Sequence, residues 1–263
     1  MPRRWPCVAT PDLLHWSGGP RPGCADQWPA AYPANPGSSR ADGTADRTTR
    51  PGSQLAAPLV SHQQHRTPGP TLGCRIKPGS VLRRAWQLGA DTVLQHIKTA
   101  GLRGRGGAGF ASAQKWQHAR DTPADQRFVI ANADEGEPGT FKDRALLTLQ
   151  ADALFEGMTL AGWVIGAQRG ILYLRGEYQY LLPHLHAVLA RRRAAGLLGA
   201  RLLDTDNAFE IDIHLGAGAY ICGEETALIE SLEGKRGIPR LRPPFPVNAG
   251  YRASQRFATI SKP

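Results

Sequence analysis

The chain has 263 residues, with 32 Lys and Arg against 22 Asp and Glu, and a formal net charge of +10 at pH 7. Apolar residues make up 41% and charged residues 21%, which is typical of a globular protein, although 30 glycines and 21 prolines exceed the usual share. No run approaches the ~18 consecutive apolar residues of a membrane span. Four cysteines are too few for a disulfide scaffold. We therefore expect no direct membrane insertion.

Residues 1–80 differ from the rest of the chain. They hold 13 of the 21 prolines and three of the four cysteines, and no period of a helix or strand runs through them. Such a composition buries too little apolar surface to offset the entropy of the chain, so we expect a disordered extension. A misassigned start codon or a frame error is the alternative interpretation. A secretory signal is disfavoured because its apolar run of ~7–15 residues is missing.

From about residue 81 the sequence alternates between helix and strand patterns. Short apolar runs predict strands at Arg127–Ala131, Gly170–Arg175 and Phe209–Leu215. Helical spacing is found in Thr92–Ala100, Ala151–Gln168 and Tyr178–Ala195, and another helix should begin near Gly223. This order predicts an α/β fold, a layered parallel sheet with flanking helices. We expect the domain to span residues 81–250 and the sheet to lie between about residues 90 and 235.

The excess of basic residues raises the question of nucleic-acid binding. The arginine run Arg191–Arg193 lies near the end of a predicted helix, where the helix dipole favours positive charge. No aromatic residues alternate with the basic ones, and no nucleic-acid-binding module surrounds them. We expect no nucleic-acid partner.

The first motif that could carry chemistry is Gly101–Phe110, GLRGRGGAGF, which has five glycines in ten residues. Glycines let backbone N–H groups approach a phosphate or a flat ring closely. The segment also fits G-x-G-x-x-G, but it precedes the first clear strand, which disfavours a Rossmann fingerprint. A flexible linker is the alternative.

The second motif, Asn132–Arg144, has the sequence NADEGEPGTFKDR and directly follows a predicted strand. In α/β sheets the ligand crevice lies at the carboxyl ends of the strands. Carboxylates and an amide in this loop could bind ring nitrogens and sugar hydroxyls. A Mg²⁺ or Ca²⁺ site is disfavoured because the regular ligand ladder of an EF-hand is missing. A solvated turn is the remaining alternative.

The third motif, Gly216–Gly234, leads through small residues into a helix. Glu224 and Glu225 fall in its first turn, where the helix dipole alone could account for them. Cys222 could be a thiol nucleophile, but no His–Asn partnership is evident, and a buried small side chain is favoured. The four cysteines are 17, 50 and 148 positions apart, so no metal or cluster site is expected.

Taken in chain order, these three motifs and PRLRPPFP resemble the FMN- and NADH-binding flavoprotein subunit of respiratory NADH dehydrogenase (complex I). The same module occurs in NAD-linked formate dehydrogenases and in the diaphorase subunit of NAD-reducing hydrogenases. The segment ILYLRGEYQYLLPHLHAVL is more similar to these two branches, and the resemblance covers roughly Thr92–Tyr251. It implies an NADH:acceptor oxidoreductase that passes hydride to FMN and electrons to iron–sulfur subunits of a multisubunit complex. Such a protein would be cytoplasmic or peripheral to a membrane complex.

The resemblance also implies where each cofactor lies. No acid–base side chain is implied, because hydride passes directly between the two cofactors. Aromatic rings suit stacking on a nicotinamide or adenine, and a lysine suits the pyrophosphate. The implied FMN contacts are Gly104, Arg105, Gly106, Gly107, Gly109, Asn132, Asp134, Glu135, Tyr220, Gly223 and Glu224. The implied NADH contacts are Phe110, Lys115, Glu137, Glu225 and Phe245.

The sequence departs from the family after Pro246. The family motif GxPTxVNNVET, which holds the flavin phosphate and ribityl chain, is absent, although Phe257–Ser261 resembles the residues that follow it. His118 and Arg242 replace a common aromatic residue and a common lysine. The chain as written also lacks the helical domain whose cysteines hold a [4Fe–4S] cluster, so we expect residues 251–263 to be a divergent, truncated tail. The alternative function is an inactive remnant or partner-binding module that keeps the fold but not full FMN binding.

Overall fold

The computed structural model describes residues 76–105, residues 108–252 and the backbone of residues 256–260. The predicted disordered extension therefore lies outside the described residues as far as residue 75. Gly106 and Gly107 of the glycine-rich motif also lie outside them. Within residues 76–80, Ile76 packs against the hydrophobic core, so this end of the predicted extension is part of the folded domain.

A parallel sheet with the strand order β3-β2-β1-β4 forms the centre of the domain. The strands are β1 Arg127–Ala133, β2 Arg169–Leu174, β3 Glu210–Leu215 and β4 Arg256–Ile260. The α-helices of the described ranges are α1 Ser80–Leu88, α2 Ala90–Thr99, α3 Ser112–Asp121, α4 Lys142–Leu149, α5 Ala151–Ile165, α6 Leu182–Ala194 and α7 Glu225–Leu232. Short 3₁₀ helices, Gly176–Leu181 and Tyr220–Gly223, precede α6 and α7.

The predicted α/β fold with a parallel sheet is confirmed, and β1, β2 and β3 lie where the sequence placed strands. Three of the α-helices, α1, α3 and α4, were not predicted, and the sheet extends beyond the predicted limit near residue 235, because β4 pairs with β1. The sequence-based limit was wrong for a physical reason. A strand of five residues carries little signal of its own and is defined by pairing with a partner far away in the chain.

The two central strands are buried on both faces, as expected for parallel strands covered by helices. On one face, Val129 and Ala131 of β1 join the larger core, to which α1, α2, α3, α5 and α6 contribute. On the other face, Phe128 and Ile130 pack with residues of α7. The domain therefore has three layers, with the sheet in the middle.

The strand register aligns the ends of three strands. Ala133 of β1 pairs with Leu174 of β2, which in turn pairs with Leu215 of β3. Since the strands are parallel, the chain leaves all three at the same edge of the sheet. The loops that follow them are thus neighbours, and this is the edge at which ligands bind in open α/β sheets.

The arginine run Arg191–Arg193 has a more specific role than the helix dipole. Arg192 is 1% exposed, and its guanidinium donates to Oε2 of Glu156 over 3.0 and 3.1 Å. The same carboxylate accepts the backbone N–H groups of Gly79 and Val81, at 2.7 and 3.1 Å. The pair therefore caps the start of α1 and ties it to α5 and α6. The other two arginines also pair with carboxylates, so the dipole interpretation was incomplete.

Candidate functional site

The second and third motifs meet at the carboxyl edge of the sheet. Asn132, at the end of β1, donates from Nδ2 to the backbone carbonyl of Gly223 over 2.9 Å. Its Oδ1 accepts the N–H of Asp134 at 3.1 Å, which turns the chain sharply as it leaves the strand. Asn132 and Asp134 are both buried. One amide side chain thus joins two segments that the sequence could only place separately.

Glu135 is held by the protein itself. Its carboxylate accepts the N–H groups of Asp143 and Arg144, at 3.1 and 3.3 Å, near the beginning of α4. The hydroxyl of Tyr178 donates to the same carboxylate over 2.9 Å. Burial and this hydrogen bond to Glu135 raise the pKa of Tyr178. Glu135 therefore fixes α4 to the 3₁₀ helix after β2, and its contact with a flavin stays a prediction.

Glu137 and Tyr220, which the resemblance assigns to different cofactors, are in direct contact. The Tyr220 hydroxyl donates to Oε2 of Glu137 over 2.8 Å, and this hydrogen bond raises the pKa of Tyr220. The tyrosine ring is 63% exposed. It lies over Gly136, where a Cβ atom would be only 2.9 Å from Cδ2 of the ring. A side chain at position 136 would displace the ring, which explains the glycine.

Four charged side chains meet at the start of α7. Glu224 is the N-cap, and its carboxylate accepts the N–H groups of Thr226 and Ala227 at 2.8 and 2.9 Å. Lys115 of α3 pairs with Glu225 over 2.9 Å. Arg242 pairs with Glu224 and lies 3.5 Å from Oε1 of Glu225.

The capping contacts set the ionisation of Glu224. Burial opposes the charged form, but the hydrogen bonds from Thr226 and Ala227 and the charge of Arg242 outweigh it. The pKa of Glu224 is consequently held below its ordinary value. Glu224 thus caps the helix through direct hydrogen bonds, a more specific role than the dipole interaction of the alternative interpretation, whereas the Glu225 carboxylate faces Lys115 and Arg242.

The two ends of the glycine-rich motif are joined in front of α3. Arg103 and Ala111 form an antiparallel bridge, and the N–H of Gly104 donates to the carbonyl of Phe110 over 2.9 Å. Gly109 has a φ of +60°, a conformation that suits glycine. The Phe110 ring is half exposed. An open groove of about 390 Å³ lies between this loop and the end of α2.

The proposal of a cysteine nucleophile in this region can now be judged. Cys222 is a free thiol that is 5% exposed, and a Cβ atom at position 237 would lie 2.6 Å from its Sγ. It is a packed side chain and not an accessible nucleophile, as the sequence favoured.

Across the described ranges, no group of three or more His, Cys, Asp or Glu side chains is arranged to hold a metal ion. No helix in the described part of the chain has both the length and the apolar character to span a membrane.

The chemistry of this edge suits a flat, anionic cofactor. The rings of Phe110, Tyr220 and Phe245 are each about half exposed or more and offer surfaces for stacking. Lys115 and Arg242 supply positive charge for phosphates. A parallel α/β sheet with such groups at its carboxyl edge defines a nucleotide-cofactor-binding domain.

The comparisons with known proteins identify the family. Residues 97–261 match the Nuo51 FMN-binding domain, and the chain belongs to this family. It is 51% identical over 207 residues to the alpha subunit of the NAD-reducing hydrogenase HoxS of Cupriavidus necator, covering 75% of this chain and 34% of that protein. It is 46% identical over 172 residues to an NADH-quinone oxidoreductase subunit of Streptomyces coelicolor, covering 65% of this chain and 38% of that protein.

A solved structure agrees with this assignment. The crystal structure of the NAD⁺-reducing [NiFe]-hydrogenase in the H₂-reduced state matches 70% of this chain with a TM-score of 0.63 and 50% sequence identity. The match covers 31% of the hydrogenase chain. The chain thus spans about a third of the length of these relatives. The predicted family and its fold are confirmed.

The sequence reasoning missed the contacts of two arginines. Arg242 was noted only as a substitution for lysine, yet it pairs with the carboxylates at the start of α7. Arg175 was predicted as the last residue of a strand and not considered for the site, although it is the first residue after β2. Its place at the carboxyl end of a strand was the available signal, because that is where ligand crevices form.

Proposed function

We propose that this chain binds FMN and NADH and is the NADH-oxidising module of a diaphorase-type NADH:acceptor oxidoreductase. One observation carries the proposal. Two motifs of an FMN-binding family are joined at the carboxyl edge of the sheet, through the hydrogen bonds Asn132–Gly223 and Tyr220–Glu137. The names of the relatives, a NAD-reducing hydrogenase subunit and an NADH-quinone oxidoreductase subunit, support the same chemistry.

We propose the division of residues between the two cofactors that the family resemblance implies. When bound, FMN supplies a centre that accepts hydride from NADH and releases electrons singly. The side chains of the protein stack against the cofactor rings, orient the two cofactors and neutralise the phosphate charge. The residues proposed for FMN are Gly104, Arg105, Gly106, Gly107, Gly109, Asn132, Asp134, Glu135, Tyr220, Gly223 and Glu224. Those proposed for NADH are Phe110, Lys115, Glu137, Glu225 and Phe245.

The charges at the start of α7 explain how an anionic dinucleotide could be tolerated beside carboxylates. Glu225 accepts from Lys115 and lies near Arg242, so its negative charge is balanced. Lys115 has three donors and can bind a pyrophosphate oxygen while it keeps its ion pair. The carboxylates of Glu137 and Glu225 accept hydrogen bonds and donate none, which suits the hydroxyl groups of a ribose.

We also propose that the electrons pass to an iron–sulfur subunit of a larger complex, in the cytoplasm or at the periphery of a membrane. The relatives support this, because both are subunits of multisubunit enzymes by name. Their partners are proposals for this chain, which matches only about a third of each.

An FMN titration of the purified chain tests the proposal. Flavin fluorescence and co-elution on gel filtration should show stoichiometric binding with a Kd of about 1 μM or lower, a binding free energy of about −8 kcal/mol. NADH-dependent reduction of ferricyanide should follow. A folded chain that binds no FMN would support the inactive remnant instead.

A further inference from the structure

Arg175 occupies the middle of the row of strand ends that forms the site. Its backbone N–H continues the sheet by donating to the carbonyl of Ala133 over 3.2 Å. Its guanidinium donates to the backbone carbonyl of Glu135 through Nη1 and to Oε1 of Glu177 through Nη2, the latter over 2.6 Å. Only a quarter of the side chain is exposed. Arg175 thus reaches from β2 under the acidic loop that follows β1.

The peptide between Glu135 and Gly136 is held at both of its polar groups. Its carbonyl accepts from Arg175, and its N–H donates to the carbonyl of Asp134 over 3.1 Å. The ring of Tyr220 covers Gly136 closely. The next residue along the chain, Glu137, accepts from that same tyrosine.

The chain segment that follows Arg175 is tightly packed. A Cβ atom at Gly176 would lie 2.7 Å from the carbonyl oxygen of Gly216 and 3.1 Å from the N atom of Gly218. The chain after β2 is therefore pressed against the loop after β3. The guanidinium of Arg175 lies 6.0 Å from the ring centre of Tyr178, whose hydroxyl binds the Glu135 carboxylate. Arg175 and Tyr178 together fix both the backbone and the side chain of Glu135.

We propose that Arg175 is a positioning residue that fixes the Glu135–Gly136 peptide and thereby directs Glu137 toward the NADH site. It acts through the loop and contacts neither cofactor. The inference rests on the proposed function, because it concerns the presentation of a predicted NADH ligand. The hold on the loop is a property of the chain alone and can be measured without ligand.

The test compares Arg175→Ala and Arg175→Lys with Arg169→Ala in the full chain. Arg169 lies at the opposite end of the same strand and forms an ion pair with Asp212, so it is a matched control for loss of an arginine. Hydrogen exchange followed by mass spectrometry should show about ten-fold faster exchange of residues 134–140 in Arg175→Ala, as expected for loss of a charge-assisted hydrogen bond. Arg169→Ala should match the wild type, and Arg175→Lys should restore part of the protection.

Ligand binding provides the second measurement. Titration should give about ten-fold weaker NADH binding to Arg175→Ala with a smaller change in FMN binding. Unchanged exchange in the loop would overturn the proposal, and so would faster exchange with unchanged NADH affinity. If the wild type binds neither cofactor, the proposed function fails, whereas the exchange comparison still decides whether Arg175 holds the loop.

Discussion

The adjacent residues Arg191 and Arg192 provide a direct test of how helix α1 is attached. Arg192 is 1% exposed and donates twice to the buried carboxylate of Glu156, whereas the Arg191 side chain is 63% exposed and lies 3.6 Å from Asp152. Arg192→Gln leaves the Glu156 carboxylate buried without its main counter-charge. Breaking a buried pair in this way costs about 3–5 kcal/mol. Arg191→Gln removes an exposed pair and should cost no more than about 1 kcal/mol.

Thermal unfolding followed by circular dichroism measures this difference. At about 2–4 °C per kcal/mol for a domain of this size, Arg192→Gln should lower Tm by about 6–20 °C. Arg191→Gln should lower it by no more than about 4 °C. The double variant Arg192→Gln/Glu156→Gln should lose less than the sum of its single variants, because the two side chains interact directly. Equal Tm values for the two arginine variants would refute the assignment of Arg192 to a buried, stabilising pair.

Three further predictions concern the site and the core. Glu137→Ala and Glu225→Ala should each weaken NADH binding about ten-fold while FMN binding changes less, and equal loss of both ligands in titrations would contradict the assigned roles. In α5, a Cβ atom at Gly162 would lie 2.3 Å from a ring carbon of a buried phenylalanine, whereas a Cβ atom at Gly157 would have no neighbouring atom within 4 Å. Gly162→Ala should therefore cost about 1–3 kcal/mol, and Gly157→Ala should gain up to about 1 kcal/mol, in urea unfolding. The pKa of Glu224 is lower in the folded chain than its ordinary value of 4.5, so its contribution is present above that pH and lost as the pH falls through the folded-state pKa. Glu224→Gln should flatten the fall in unfolding free energy on acidification below that pH, and an unchanged profile would contradict the capping role.

The central sheet could be predicted from the sequence because its strands are local signals. Strands β1 and β2 contain the apolar runs Phe128–Ala131 and Ile171–Leu174, as buried parallel strands require, and a polar loop follows each strand. The three motifs were placed correctly relative to the strands for the same reason. Helix α1 was harder, since its start is stabilised by Glu156, about 75 residues further along the chain. No local pattern contains that contact.

The side-chain contacts of the site also divide into those that the local sequence predicts and those that only the folded chain creates. That Glu224 and Glu225 lie in the first turn of a helix follows from their positions in the sequence. That Glu225 pairs with Lys115 does not, because the two are 110 residues apart and meet only in the folded chain. The contact of Arg175 with Glu135 likewise depends on the parallel register of β1 and β2. The sequence therefore predicts which residue types reach this edge, whereas the partners within it come from the sheet.

The sequence departs from the family after Pro246, yet the fourth strand of the sheet is still present. β4 pairs with β1 in parallel register from Arg127 with Arg256 to Ala131 with Ile260, and the family match continues to residue 261. The sheet therefore gains its fourth strand even though the GxPTxVNNVET motif that precedes this position in the family is missing. Because β1 is paired on both sides, the edge that carries Asn132 keeps its support. FMN affinity consequently reports on the missing segment itself, since loss of the sheet is not needed to explain weak binding.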